Sequence, residues 1–312
     1  MEEKMPLVSV AVITYNSSKY VLETLESIKA QTYKNIELII SDDCSTDNTM
    51  QLCKKWCEQN EDRFARIQYV EVEQNTGVSA NCNRAEDACQ GDWVKLIAGD
   101  DMLLPNCITD FMEYVQTHDD VVYVFGKVKY LGKQLENEID YRFYQSNSIE
   151  EQLRKVVVGT FIPACTCFYN KIKSTKEGLK YDEKIPMFED TPKWINAIKK
   201  GFLLRLVDKY VCVYRVGHNE SLSSGNLHYQ SFMRSKRLVY FYYLYPELVK
   251  INNQKAVESV VDFEMRWYNN YFEIMNSTTY KVGSFVLSPF RVLKKLCKSI
   301  KTRYVSIRYI FL

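Results

Sequence analysis

No uninterrupted apolar run of about 18 residues occurs in the chain, so a helix spanning a bilayer is not expected. An apolar leader is also lacking: Met1-Glu-Glu-Lys-Met-Pro6 is acidic, which predicts a chain kept on the cytoplasmic side. Charge of one sign is not in excess. With 41 Lys and Arg against 39 Asp and Glu the formal net charge is +2, which gives no global footprint for nucleic acid. Histidine is scarce, at three residues, and none lies near Cys53 and Cys57, which share a predicted helix face, so a zinc site is not expected there. The ten cysteines have no paired Cys-x-x-Cys spacing and read as free, mostly buried thiols rather than a disulfide framework. Internal repeats and low-complexity stretches are absent as well.

What the chain does have is the composition of an ordinary globular protein, 46% hydrophobic and 26% charged, in 312 residues. That length predicts one large domain with a smaller appended region. Val8 to Ile13 is a β-rich apolar run, Asn16-Ser17-Ser18 reads as a cap, and Tyr20, Leu22, Leu25 and Ile28 follow at helical spacing. The pattern repeats, with strands at Ile36 to Ile40, Ile67 to Val72 and Trp93 to Ala98. Between them lie helices, one capped by Thr46-Asp47 and one from Val78 to Cys89 after Asn75-Thr76-Gly77. Such alternation predicts an α/β fold with a mostly parallel sheet covered on both faces. Pro105 opens a further helix to about His118, and Val121 to Tyr130 reads as a strand continuing the sheet. Beyond residue 130 the spacing predicts a helix at Ser148 to Val158, an extended stretch at Phe161 to Tyr169, a helix at Pro192 to Lys200 and another extended stretch at Leu203 to Arg215. From about Asn226 to Tyr271 the pattern is helical and aromatic.

In parallel α/β sheets ligands sit beyond the carboxyl ends of the strands, and here those ends are polar and acidic. They carry Thr14-Tyr15-Asn16, Asp42-Asp43 and Gly99-Asp100-Asp101. Crowded carboxylates repel unless a cation neutralises them, and an all-oxygen set of this kind suits Mg²⁺ or Mn²⁺ shared with substrate phosphates. The plainer alternative is that Asp100-Asp101 caps the helix near Pro105. Gly77, before a helix, places backbone N–H groups at the same rim, where an ordinary turn is the competing reading.

These segments together resemble the inverting family 2 glycosyltransferases, whose fold is called GT-A. The resemblance is carried by Val8-Ser-Val-Ala-Val-Ile-Thr-Tyr-Asn16, Ile28-Lys-Ala-Gln-Thr-Tyr33, Ile39-Ile-Ser-Asp-Asp-Cys-Ser-Thr-Asp47, Asn75-Thr-Gly-Val-Ser-Ala80 with Asn83, and Gly91-Asp-Trp-Val-Lys-Leu-Ile-Ala-Gly-Asp-Asp101. It implies a nucleotide-diphospho-sugar transferase with a helical C-terminal extension. Residues 1–225 would be the catalytic domain, with a nucleotide-sugar-binding half at 1–130 and an acceptor and base half at 131–225, and residues 226–312 a helical region with a basic tail. Thr14 and Asp43 are then placed at the nucleotide base, with Tyr15, Asn16, Asp42, Gly77 and Asn83 around the nucleotide sugar. Asp100 falls at the ribose or a metal-bound water, and Asp101 on the metal. Where many relatives carry Asp-x-Asp-Asp, this chain has Ala98-Gly99-Asp100-Asp101, and an Arg common before Asn83 is Cys82 here.

Downstream, Phe188-Glu-Asp-Thr-Pro-Lys-Trp194 resembles the family's Glu-Asp motif. Displacement at an anomeric carbon needs a carboxylate to take the acceptor's proton; the resemblance implies Asp190 as that base with Glu189 tuning it, while helix capping by Asp190 is the alternative. Tyr214-Arg215-Val-Gly-His218 resembles a loop closing over the donor, with Arg215 at the departing diphosphate and His218 as a further metal ligand or a structural histidine. The implied reaction moves a hexose, glucose or galactose in β-linkage, from a UDP-sugar to an undecaprenyl-diphosphate-linked saccharide in O-antigen or surface-polysaccharide assembly. A nucleotidyltransferase or a non-catalytic nucleotide-sugar binder are the competing classes.

The last segment bears on location. After Glu273 no acidic residue follows, while Lys281, Arg291, Lys294, Lys295, Lys298, Lys301, Arg303 and Arg308 do. Leu293, Leu296, Ile300, Tyr304, Ile307 and Phe311 recur at spacings of three and four. A basic amphipathic helix over 289–312 is expected to lie on the cytoplasmic face of the plasma membrane as a peripheral anchor, or else to dock on the catalytic domain or another subunit. The oligomeric state stays open.

Overall fold

Five of the seven residues of β1 (Val8–Thr14) are apolar and all but Ile13 are buried, because the strand has neighbours on both edges and is covered on both faces. The computed structural model describes residues 5–132, 139–216, 229–251 and 258. Beside β1 lies β2 (Ile36–Asp42), in parallel register from Val8 against Ile36 to Thr14 against Asp42. On its other edge is β4 (Trp93–Ala98), also parallel, and β3 (Arg66–Glu71) pairs outside β2. Sequence order thus reverses between β1 and β4, which opens the crevice at their carboxyl ends where ligands of such sheets sit.

Helices α1 (Val21–Lys29), α2 (Thr49–Glu58) and α3 (Val78–Ala88) connect these strands. In α1, Val21, Thr24, Leu25 and Ile28 are buried, the three-and-four spacing of one helical face. Each buried aliphatic side chain of this core stabilises the fold by about 1.5–3 kcal/mol. The cap expectations shift by a few residues. Asn16-Ser17-Ser18 forms a turn in which Ser17 O accepts from Tyr20 N and Val21 N. Asp47 sits two residues before α2, its carboxylate accepting from Thr49 N at 3.0 Å.

The remaining half mixes directions. After β5 (Met102–Leu103) and α4 (Cys107–Gln116), strand β6 (Tyr123–Gly132) does not pair with β4. Between them lies β7 (Cys167–Asn170), antiparallel to both, and β8 (Leu204–Val216) runs parallel to β6 and closes the far edge against β5. The full order is β3-β2-β1-β4-β7-β6-β8-β5 in one eight-stranded sheet. Of the stretch expected to be extended, Phe161 to Tyr169, only the end from Cys167 is strand, and Ala164–Thr166 is a helical turn.

Helices α5 (Ile149–Val157), α6 (Lys171–Lys176) and α7 (Asp190–Lys199) pack on this half. Trp194 of α7 is buried edge-on against Phe125 and Tyr123 of β6, with ring centroids 5.0 and 5.8 Å apart. That contact fixes the roll of α7 and hence where its first residue points. Helix α8 (Tyr229–Val239), a wide helical turn at Tyr240–Leu244 and α9 (Tyr245–Lys250) follow. Met1 to Gln254 group as one unit, and of the unit from Lys255 onward only Glu258 is described. The basic tail therefore lies outside the described residues. Within those residues no helix is long and apolar enough to cross a membrane, and the nine cysteines there are unpaired.

Candidate active site

Asp43, one residue past β2, is buried and surrounded by donors. Its carboxylate accepts from Thr76 N at 3.0 Å, Thr76 Oγ1 at 2.8 Å, Gly77 N at 2.7 Å and Arg84 Nη2 at 2.7 Å. Bonds from the Arg84 guanidinium and a turn of backbone N–H groups hold its carboxylate at one point in space. Gly77 serves this with a φ of +94° and a ψ of 163°, a region essentially restricted to glycine. The loop also meets the second half of the chain, for Val78 N donates to Pro186 O at 2.8 Å and a Cβ on Gly77 would stand 2.7 Å from Pro186 Cβ. Arg84 was not singled out in the sequence, although it directly follows Asn83. Cys82, two positions before it, is fully buried in the core instead.

The other residues expected at the nucleotide divide into two groups. Thr14 Oγ1 donates to Asp42 Oδ1 at 2.7 Å, and Asp42 accepts from Ser45 N at 2.7 Å and Ser45 Oγ at 2.6 Å, so Asp42 braces the loop that presents Asp43. Asn16, in the left-handed region at φ 51°, accepts from Thr46 N at 2.8 Å and joins the loops after β1 and β2. Asn83 is used internally, exchanging bonds of 2.9 and 3.0 Å with the Tyr181 backbone and a further 2.9 Å bond to Glu183. Tyr15, by contrast, is exposed at the rim.

Past β4, Gly99 allows the chain to press against β1, since a Cβ there would lie 2.9 Å from Thr14 Cγ2. Asp101 is buried behind it. Its Oδ1 accepts from Arg215 N at 2.9 Å, and Arg215 Nε reaches the Asp100 carbonyl at 3.0 Å. Burial first, then the neighbouring Cys165 and Asp100, raise the Asp101 carboxyl well above the usual carboxylate range. A buried carboxyl next to a second one is what an oxygen-seeking divalent cation neutralises, so the pair fits Mg²⁺ or Mn²⁺ with remaining positions left to phosphate and water. Among the described residues no group of three His, Cys, Asp or Glu side chains gathers for a metal, and His218 lies outside them. Capping does not account for the pair, because α4 begins only at Cys107 with Asn106 before it. The Arg215 guanidinium is engaged by Glu23 at 2.7 Å and lies 4.2 Å from the centre of the Tyr20 ring. Beneath the pair, the fully buried Lys95 ammonium donates to the carbonyls of Leu96, Cys165 and Cys167, a feature a single Lys in an apolar strand did not disclose.

Glu189 and Asp190 close the loop that begins at Ile185 and abuts Gly77. Asp190 is the first residue of α7, and its Oδ1 accepts from Thr191 N at 2.6 Å, a bond to its neighbour. Burial raises the Asp190 carboxyl, and burial together with the Asp190 charge pushes Glu189 up to about 7. One turn along, Lys193 is fully buried and pairs with Glu86 of α3 at 2.9 Å, its ammonium 3.9 and 4.4 Å from the Tyr181 and Tyr169 ring centres. The helix bearing the carboxylates and the helix bearing Arg84 are thereby tied together.

The sequence profile described as Glycosyl transferase family 2 matches residues 9–179, more than half the chain. WfaP of Escherichia coli, a UDP-Glc:alpha-D-GlcNAc-diphosphoundecaprenol beta-1,3-glucosyltransferase, is 27% identical over 229 residues, covering 71% of this chain and 81% of WfaP. Among solved structures, S. aureus TarS residues 1–349 with UDP-GlcNAc superposes with a TM-score of 0.63 at 19% identity, over 89% of this chain and 78% of that one. The mannosyltransferase PcManGT of Pyrobaculum calidifontis, with GDP-Man and Mn²⁺, gives 0.57 at 16% identity over 91% and 84%. The sheet with its switch point, the acidic strand ends and the profile agree: the chain has the GT-A fold and belongs to glycosyl transferase family 2.

Proposed function

We propose that this glycosyltransferase moves a hexose, with inversion, from a UDP-sugar to an undecaprenyl-diphosphate-linked saccharide in surface-polysaccharide synthesis, working at the cytoplasmic face of the membrane. The observation that carries the reading is the placement of the Glu189-Asp190 pair at the end of a loop packed on Gly77, the residue that cradles Asp43. Donor base, phosphates and acceptor would then follow one another along the crevice, with residues 1–130 holding the donor and 131–225 supplying the base. WfaP's use of UDP-glucose and a diphosphoundecaprenol acceptor supports the substrate class.

In this reading Asp43 accepts from the N–H of the uracil ring, and Thr14 and Arg84 hold that edge of the pocket. Asp100 and Asp101 would hold Mn²⁺ or Mg²⁺, which when bound offsets charge on the diphosphate. Asp190 takes the proton of the acceptor hydroxyl while its oxygen bonds to the anomeric carbon and the bond to the diphosphate breaks, releasing UDP. A carboxylate whose proton affinity is raised by burial is a stronger base than one in water. Asp190→Asn should lower turnover by about two to four orders of magnitude with UDP-sugar affinity nearly unchanged. UDP release and isothermal titration measure the two; wild-type turnover in this variant would remove Asp190 from the role.

A further inference from the structure

Phe188 adopts φ 70°, one of only three non-glycine residues in the left-handed region among those described, and it immediately precedes Glu189 and Asp190. A bulky side chain is held there only when its surroundings determine it. Those surroundings are helix α8. The Phe188 ring meets the Phe232 ring edge-on with centroids 5.3 Å apart, and Met187 N donates to the buried Ser235 Oγ at 3.2 Å. On its other side the same loop is fastened to α3, through Val78 N to Pro186 O and through Ser79 Oγ to Ile185 O. Through Phe188 and Met187, α8 thus holds the two residues that directly precede the carboxylates.

We infer that α8 is a clamp for the catalytic loop, with Phe232 and Ser235 as positioning residues that hold Phe188 left-handed and so aim Asp190 into the crevice. This rests on Asp190 being the base. Both residues lie beyond residues 9–179, the part of the chain matched by the family profile, so the clamp is contributed by the region that follows it. Loosening it should move the carboxylates by a fraction of an ångström to an ångström without touching the donor pocket, and misplacement on that scale lowers a rate about 100-fold.

The test uses the full-length protein with Phe232→Ala, Ser235→Ala and Phe232→Tyr, in Mn²⁺. Turnover is followed as UDP release from UDP-glucose with undecaprenyl-diphosphate-linked N-acetylglucosamine, UDP affinity by calorimetry, and amide exchange by mass spectrometry. Phe232→Ala is expected to cut kcat about 10- to 100-fold with UDP affinity within about twofold of wild type. Exchange in 185–191 should rise about tenfold, while 8–14 and 76–84 stay protected. Ser235→Ala should do the same more weakly, and Phe232→Tyr, which keeps the ring, should restore both. Unchanged exchange at 185–191 in Phe232→Ala overturns the clamp, as does a uniform rise across the protein with loss of UDP binding. The exchange result does not depend on the acceptor, so full turnover by Asp190→Asn would dismiss the base while leaving the clamp to be judged on its own.

Discussion

At Glu189 two effects act in one direction: removal from water and the neighbouring Asp190 charge both favour the protonated form, up to about pH 7. A carboxyl that binds its proton more tightly in the folded than in the unfolded chain contributes stability that is full below its ordinary value of 4.5, and that contribution is lost as pH rises toward about 7. Glu189→Gln, neutral throughout, escapes that loss. Its melting temperature relative to wild type should therefore climb between about pH 4.5 and 7 and level off above, as thermal unfolding across that range would show. A difference independent of pH would mean that Glu189 is not held protonated by its site. At the metal pair the expectation is simpler, for excess EDTA should abolish turnover, Mn²⁺ or Mg²⁺ should restore it, and Asp101→Asn should lose it at any metal concentration.

Among the elements, the contact between the Gly77 loop and the Ile185–Phe188 loop joins Asp43 to the Glu189-Asp190 pair more directly than the sheet does. Gly77→Ala would meet both a backbone conformation closed to side chains and Pro186 at 2.7 Å, a combined cost of about 1–3 kcal/mol. Because Gly77 N also bonds Asp43, the variant should show a lower melting temperature and a raised KM for UDP-sugar together; a change in one alone would separate the loop's two duties. How far such elements can be read from sequence depends on the range of the forces that make them. Strands β1 and β2 were legible because burial on both faces writes a largely apolar run, and their helices because a buried face writes a period. The insertion of β7 between β4 and β6 was not, since Cys167–Asn170 is short and its pairing is decided by Tyr169 and Phe168 meeting partners some 45 to 75 residues away. Asp43, Asp101 and Asp190 stood out by type and place. Arg84, Lys95 and Lys193 did not, because their roles arise from partners at 41, 70 and 107 residues' remove.

For the molecule as a whole, the proposed membrane surface is tested through the tail. Truncation before Pro289 removes seven of the eight cations after Glu273 together with the apolar stripe, and each cation near an anionic surface contributes about 1 kcal/mol. The shortened protein should stop floating with anionic liposomes while still hydrolysing the donor, and continued flotation would refute the anchor. The buried Lys193-Glu86 pair bears on a different undertaking, the building of hybrid enzymes. Exchanging residues 1–130 for those of a relative to change donor preference would carry Glu86 away and strand an ammonium in the core, a loss of about 3–5 kcal/mol. In the proposed division of the chain, donor choice and acceptor chemistry would thus be inherited jointly, and a graft should hold only if position 86 travels with a counterpart for position 193.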